Sequence, residues 1–142
     1  MIGRCLSAVC AAALAFGSAH ADEVWRSEQD DSLIVYETDI GTTAVLSAQA
    51  DKLGRFAVYA PGLGGVWGGD RRSSYDGYYI GFDEGGPCEA SLTGVDERVS
   101  HNWGRARLVL TDRGFPTTIL LLLSPCGGTD ETLIVGKPMV GG

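Results

Sequence analysis

The sequence is poor in basic residues, in histidine and in long apolar runs. Its 142 residues include 11 Lys and Arg against 18 Asp and Glu, for a formal net charge of −7. Nucleic-acid binding depends on clustered Lys and Arg, so this balance argues against a nucleic-acid partner. Beyond residue 21 no apolar run is longer than that at residues 119–123, and a membrane-spanning helix needs about 20 apolar residues. We therefore expect a chain that does not span a membrane.

The residues that metal sites and catalytic motifs need are also scarce. The sequence has 2 histidines, and only His101 lies beyond residue 21, which excludes a site with several histidine ligands there. No G-x-S-x-G elbow, Walker-type loop or calcium loop is present. We expect no catalytic residues, no metal, no cofactor and no enzymatic activity.

Adjacent acid pairs occur at residues 30–31, 83–84 and 96–97. A glycosidase needs two carboxylates that face each other across a sugar. Neighbouring residues on a strand point to opposite faces, so no single pair meets that requirement. We interpret these pairs as residues that solvate loops.

Residues 1–21 have the order of a cleavable secretion signal. Arg4 precedes an apolar stretch at residues 5–16, and the small residues Ala19 and Ala21 precede a cleavage point before Asp22. This pattern predicts export, to the periplasm or the medium, of a single domain at residues 22–142. The net charge of that domain is −8, because the signal carries Arg4 and no acidic residue.

Four cysteines are present, of which Cys5 and Cys10 lie in the predicted signal. Cys88 and Cys126 remain. An even pair in an oxidising compartment predicts a disulfide between them.

Most of the chain beyond residue 22 consists of short β-branched or aromatic runs between turn residues. The predicted strands are residues 24–25, 32–38, 55–60, 75–82, 88–95, 105–111, 117–124 and 132–135. They predict an all-β domain, a single antiparallel sandwich or small barrel of about seven or eight strands. The segment Thr42–Leu53 also fits a short helix, with Thr42 as N-cap and Gly54 as C-cap. Its alternative is a strand with Ala44, Leu46, Ala48 and Ala50 on one face, paired with 55–60.

The clearest element is a hairpin formed by residues 105–111 and 117–124. The predicted core residues of its paired strands are Leu108, Leu110, Ile119, Leu121 and Leu123. Pro116 and Pro125 bracket too few residues for a helix. The unbroken apolar run at 119–123 predicts burial on both faces of its strand.

The glycine-rich segment 62–69 and the aromatic residues that follow it are the candidate binding region. A segment so rich in glycine is expected to be a surface loop. Trp67 either packs beneath this loop or is presented to a partner, and the binding prediction adopts the second alternative. In the next strand Tyr78, Ile80 and Phe82 share one face, which we assign to the core. The opposite face and its flank complete the predicted partner-binding set, which is Trp67, Arg71, Arg72, Tyr75 and Tyr79.

Residues 74–85, which include Tyr75, Tyr78, Glu84 and Gly85, resemble the Tyr- and Gly-rich segment of bacterial C-type lysozyme inhibitors. The likeness is confined to this segment, which lacks that family's Lys-Gly pair. Together with small size, acidity and a stapled β scaffold, it favours an inhibitor or immunity protein that contacts a basic cell-wall-degrading enzyme of lysozyme or amidase type. The alternatives are a structural or surface-assembly subunit and a carboxylate-dependent hydrolase.

Overall fold

The computed structural model describes residues 23–66, 71–114 and 116–139. These residues form ten strands and no helix, so none of them belongs to a helix that could cross a membrane. The strands are β1 (Val24–Ser27), β2 (Leu33–Ile40), β3 (Thr43–Ala50), β4 (Gly54–Pro61), β5 (Ser74–Gly81), β6 (Leu92–Thr93), β7 (Val99–Ser100), β8 (Trp103–Leu110), β9 (Ile119–Pro125) and β10 (Thr132–Pro138). The predicted signal at residues 1–21 lies outside the described residues.

Eight of the strands close into an antiparallel barrel in the order β1-β10-β9-β8-β5-β4-β3-β2. The chain runs up and down between neighbouring strands, and only the small β6–β7 sheet interrupts this path. Pairing of β1 with both β2 and β10 closes the wall. The predicted all-β class is therefore confirmed, and its architecture is a barrel rather than a sandwich.

The barrel interior is filled by side chains that alternate along each strand. On β3 the inward residues are Ala44, Leu46, Ala48 and Ala50, all of which are buried. Every residue of β3 pairs with β4, from Thr43 opposite Pro61 to Ala50 opposite Gly54. This pairing confirms the strand alternative for the segment. Its inward alanines are small, which leaves space in a narrow barrel for larger side chains from other strands.

The predicted hairpin is formed by β8 and β9, with Leu108 opposite Leu121 and Leu110 opposite Ile119. All five of its predicted core residues are buried. Burial on both faces of β9 was wrong, because Leu120 and Leu122 are only half-buried on the outside of the wall.

Residues 82–102 leave the barrel and cross its outer surface. We call this segment the outer flap. Beneath it lies a second apolar cluster, which consists of Val45, Ala57, Tyr59 and Ile80 together with Tyr78, Phe82, Leu92 and Trp103. The predicted strand at residues 88–95 was wrong apart from Leu92–Thr93. Backbone groups of this segment bond to the flap itself, as in the Cys88 N–H to His101 carbonyl bond of 2.9 Å.

The predicted disulfide between Cys88 and Cys126 is confirmed, with Cα atoms 5.4 Å apart. Cys126 directly follows β9, so the bond joins the outer flap to the barrel wall. The flap is thereby held at both of its chain ends and at one covalent point between them.

Candidate functional site

The two ends of the barrel carry opposite charge. In an up-and-down barrel, alternate loops emerge at the same end. The turns 28–32, 51–53 and 126–131 therefore join the outer flap at one end. We call this set of loops the acidic end. It holds eleven of the chain's 18 acidic residues: Glu28, Asp30, Asp31, Asp51, Asp83, Glu84, Glu89, Asp96, Glu97, Asp130 and Glu131.

Ten of these residues are exposed, whereas the Asp96 side chain is only 23% exposed because its carboxylate contacts Tyr59 and Arg98. The same loops contain only two Lys or Arg residues, Lys52 and Arg98. Arg98 lies 3.7 Å from the Asp96 carboxylate and 4.2 Å from the centre of the Phe82 ring. Its charge is thus directed back toward the barrel. The loops that leave this end of the barrel therefore carry a large excess of negative charge.

Hydrogen bonds hold the outer flap to a neighbouring turn, to itself and to strand β8. The Asn102 side-chain amide donates to the Leu53 carbonyl at 2.9 Å, which joins the flap to the 51–53 turn. The Ser100 hydroxyl donates to the Asp83 carbonyl, and the Trp103 indole donates to the Ala90 carbonyl at 2.7 Å. A surface held in this way loses little conformational entropy when a partner binds.

A groove of about 320 Å³ opens at the acidic end. Its lining includes the half-buried Leu53, the exposed Leu133 and the carboxylates of Asp30, Asp51 and Glu131. The Ser32 hydroxyl and backbone N–H donate to Asp30 at 2.6 and 3.0 Å, and these hydrogen bonds lower the pKa of that carboxyl. Such a groove can take the apolar stem of a lysine or arginine while carboxylates contact its charged head.

Two of the residues predicted to bind a partner lie inside the barrel. Tyr75 is 2% exposed and Tyr79 is 0% exposed, so neither side chain is available to a partner. The assignment of faces on β5 was therefore reversed, because Tyr78 and Phe82 point outward beneath the flap. Glycine explains the inward position of Tyr79: a Cβ at Gly104 on β8 would collide with the Tyr79 ring.

Arg71 and Arg72, which were also predicted to bind a partner, belong to the opposite end. The Arg71 guanidinium donates to the carbonyls of Asp112 and Gly114 at 2.9 Å each. Arg72 is exposed and stacks on the Tyr75 ring at 4.7 Å. Trp67 lies outside the described residues. Its role in binding stays a prediction.

The hydroxyls of two buried tyrosines differ in their surroundings. Tyr59 donates to the Asp96 carboxylate at 2.8 Å and is part of the flap contact. The Tyr79 hydroxyl is buried and has no hydrogen-bond partner among the described residues. Burial raises the pKa of Tyr79 to about 12, and burial together with Asp96 raises the pKa of Tyr59.

We expect stability to fall as the pH rises above 10, because both tyrosines are neutral in the folded state. A tyrosine with a raised pKa contributes stability below its unfolded pKa of 10, and that contribution is lost as the pH rises toward the folded value. Between pH 10 and 12, Tyr79→Phe should reduce the fall of the unfolding free energy with pH by up to about 1.4 kcal/mol per pH unit. Urea unfolding at pH 8 to 11.5 measures it, and parallel curves for the wild type and the variant would contradict it.

Tyr59→Phe is the matched variant at pH 7. It should lower the free energy of unfolding by about 1.5–3 kcal/mol, because it removes a hydrogen bond to a charged group. Tyr79→Phe should cost nothing at that pH, since its hydroxyl makes no hydrogen bond with the described residues.

Sequence reasoning did not identify the acidic end as a site, although it noted three of its acid pairs. No group of three or more His, Cys, Asp or Glu residues in the described part of the chain is arranged to hold a metal ion. Comparison with protein-family models, with curated proteins and with solved structures finds no match for this chain.

Proposed function

We propose that this chain is an exported binding protein, periplasmic or secreted, that inhibits or confers immunity against a basic cell-wall-degrading enzyme of lysozyme or amidase type. The partner contacts the acidic end. The observation that carries the proposal is the concentration of eleven acidic residues, ten of them exposed, in the loops that leave one end of a small, closed barrel. The disulfide supports the exported location, because such bonds persist in oxidising compartments.

Electrostatic complementarity accelerates association with a positively charged partner. Steered complexes reach association rate constants of about 10⁸–10⁹ M⁻¹s⁻¹ at low salt, against about 10⁵–10⁶ for neutral surfaces. The surface that produces this steering is also rigid, since the disulfide and the Asn102 bond hold the flap in place. A preorganised acidic surface fits inhibition of an enzyme whose own surface is basic.

The test neutralises three carboxylates of the outer flap, Asp83→Asn, Glu84→Gln and Glu97→Gln, whose side chains are exposed. We expect the association rate with a basic C-type lysozyme and with a basic amidase to fall about tenfold at low salt. Surface plasmon resonance measures the rate, and lysis of a cell-wall suspension measures inhibition. The control neutralises three carboxylates elsewhere, Glu37→Gln, Asp76→Asn and Asp112→Asn, and should change the rate less than the flap variant does.

Equal losses in the two triple variants would show that net charge alone matters and would overturn the assignment to the acidic end. Absence of binding to either enzyme by the wild type would overturn the proposed partner. Trp67→Ala in the same assay tests the sequence-based prediction that the 62–69 loop makes the contact. Loss of binding in that variant, with the flap variant unaffected, would move the site to the opposite end.

A further inference from the structure

The end of the barrel opposite the acidic end collects arginines. Its described loop residues are 41–42, 62–66, 71–73, 111–114 and 116–118, and we call this set the arginine end. Arg71, Arg72 and Arg113 lie in these loops, where the one described acidic residue is Asp112. Three arginines in two short loops form a local positive cluster, in contrast to the chain as a whole, whose net charge is −7.

These arginines line a groove of about 570 Å³ together with the hydroxyl-bearing residues Ser73 and Thr111, with Leu110 and with one acidic residue, Asp112. We propose that the groove binds a phosphate-bearing anion through the guanidinium groups of Arg71, Arg72 and Arg113. Guanidinium is planar and presents paired N–H groups, which match the spacing of phosphate oxygens. This inference stands apart from the proposed function, since it concerns the opposite end and a ligand of opposite charge.

The fold holds two of the three guanidinium groups in position. Arg71 is fixed by its bonds to the carbonyls of Asp112 and Gly114. Arg72 is fixed twice, because its side chain stacks on Tyr75 and its backbone N–H donates to the Tyr75 hydroxyl at 2.7 Å. An anion that enters the groove therefore meets donors that are already placed, which reduces the entropy lost on binding.

Neither Arg72 nor Arg113 forms an ion pair with another described residue. Ion pairs between described residues join Arg98 to Asp96, Arg107 to Asp76 and Lys137 to Glu28. The Asp112 carboxylate accepts from the Thr111 hydroxyl at 3.1 Å and the Thr118 N–H at 3.4 Å. Arg72 and Arg113 thus present charge that an anionic ligand can neutralise.

The test uses tripolyphosphate with the full mature protein and follows backbone amide NMR signals. We expect saturable shifts at residues 71–73 and 111–113. The double variant Arg72→Gln with Arg113→Gln should bind about tenfold more weakly, a loss expected from removal of charge-assisted bonds. Arg71 is left unchanged because it ties two loops together. The matched control is Arg26→Gln with Arg105→Gln, which removes two exposed arginines outside this groove.

Equal weakening in the two double variants, or shifts spread over the whole surface, would overturn the proposal. Melting temperatures of both variants test whether folding is retained. If the double variant with Arg72→Gln does not fold, Arg113→Gln alone takes its place. Phosphatidylglycerol vesicles form a second arm, with phosphatidylcholine vesicles as reference. Binding to tripolyphosphate alone identifies a soluble or polymer-borne phosphate, whereas binding to the anionic vesicles as well identifies a lipid headgroup.

Discussion

Leu121→Ala is expected to lower the free energy of unfolding by about 2–5 kcal/mol, toward the upper part of that range. Leu121 is 0% exposed and faces the barrel interior from β9. The loss has two parts, the transfer of the removed atoms and the cavity left behind. The cavity persists because β9 is paired on both sides, with β8 and with β10, so its backbone cannot move inward.

Leu122→Ala is the matched control on the same strand. The Leu122 side chain faces outward and is half-buried, so its truncation leaves no enclosed cavity. We expect a loss of about 1 kcal/mol or less, since only part of its apolar surface is removed from water in the folded state. Urea unfolding at pH 7 measures both variants. Equal losses at the two positions, or a loss below about 0.5 kcal/mol for Leu121→Ala, would contradict the inward assignment.

Most strands of the barrel wall were predictable because they are marked by local residues, unlike the two short strands of the outer flap. Alternating leucines on β8 and the turn between Thr111 and Thr117 locate the hairpin without any knowledge of its neighbours. Closure of the barrel was not predictable in this way. It depends on pairs such as Trp25 with Pro138, which lie at opposite ends of the described chain. No local pattern distinguishes that pairing from the arrangement of a sandwich.

The reversed faces of β5 show a second limit of the sequence pattern. Both faces carry aromatic residues, and both are covered, one by the barrel interior and the other by the outer flap. Alternation therefore identifies two faces but does not say which is inside. Gly104 on the neighbouring strand fits the observed orientation, because a Cβ there would collide with the Tyr79 ring as well as with the Ser124 carbonyl. That contact joins residues of different strands.

The acidic end could have been predicted from the sequence if the strand topology had been known. The pairs at 30–31, 83–84 and 96–97 follow β1, β5 and β6, in segments that all lie at one end of an up-and-down barrel. Considered alone, each acid pair is typical of a solvent-exposed loop. Their convergence depends on the alternation of strand direction, which becomes evident only when the strands are known to form a continuous meander.

Removal of the disulfide by Cys88→Ala with Cys126→Ala is expected to lower the free energy of unfolding by about 3.5–4 kcal/mol. The two residues are separated by 38 positions, and the cross-link restricts the unfolded chain over that whole loop. Replacement of both residues avoids a free thiol. Urea unfolding without reductant measures the loss, and dithiothreitol should destabilise the wild type but leave the double variant unchanged.

The same variant links the scaffold to the proposed binding surface. The outer flap carries five of the eleven carboxylates of the acidic end, namely Asp83, Glu84, Glu89, Asp96 and Glu97. Without the disulfide the Tyr59 contact with Asp96 and the Trp103 bond to Ala90 still hold the flap, but no covalent bond joins it to β9. Relative to the wild type, we expect amide exchange in the double variant to accelerate more across residues 83–101 than across the barrel strands. We also expect a higher dissociation rate from a basic lysozyme than for the wild type. Unchanged exchange and dissociation would show that hydrogen bonds and packing alone hold the flap in its binding conformation.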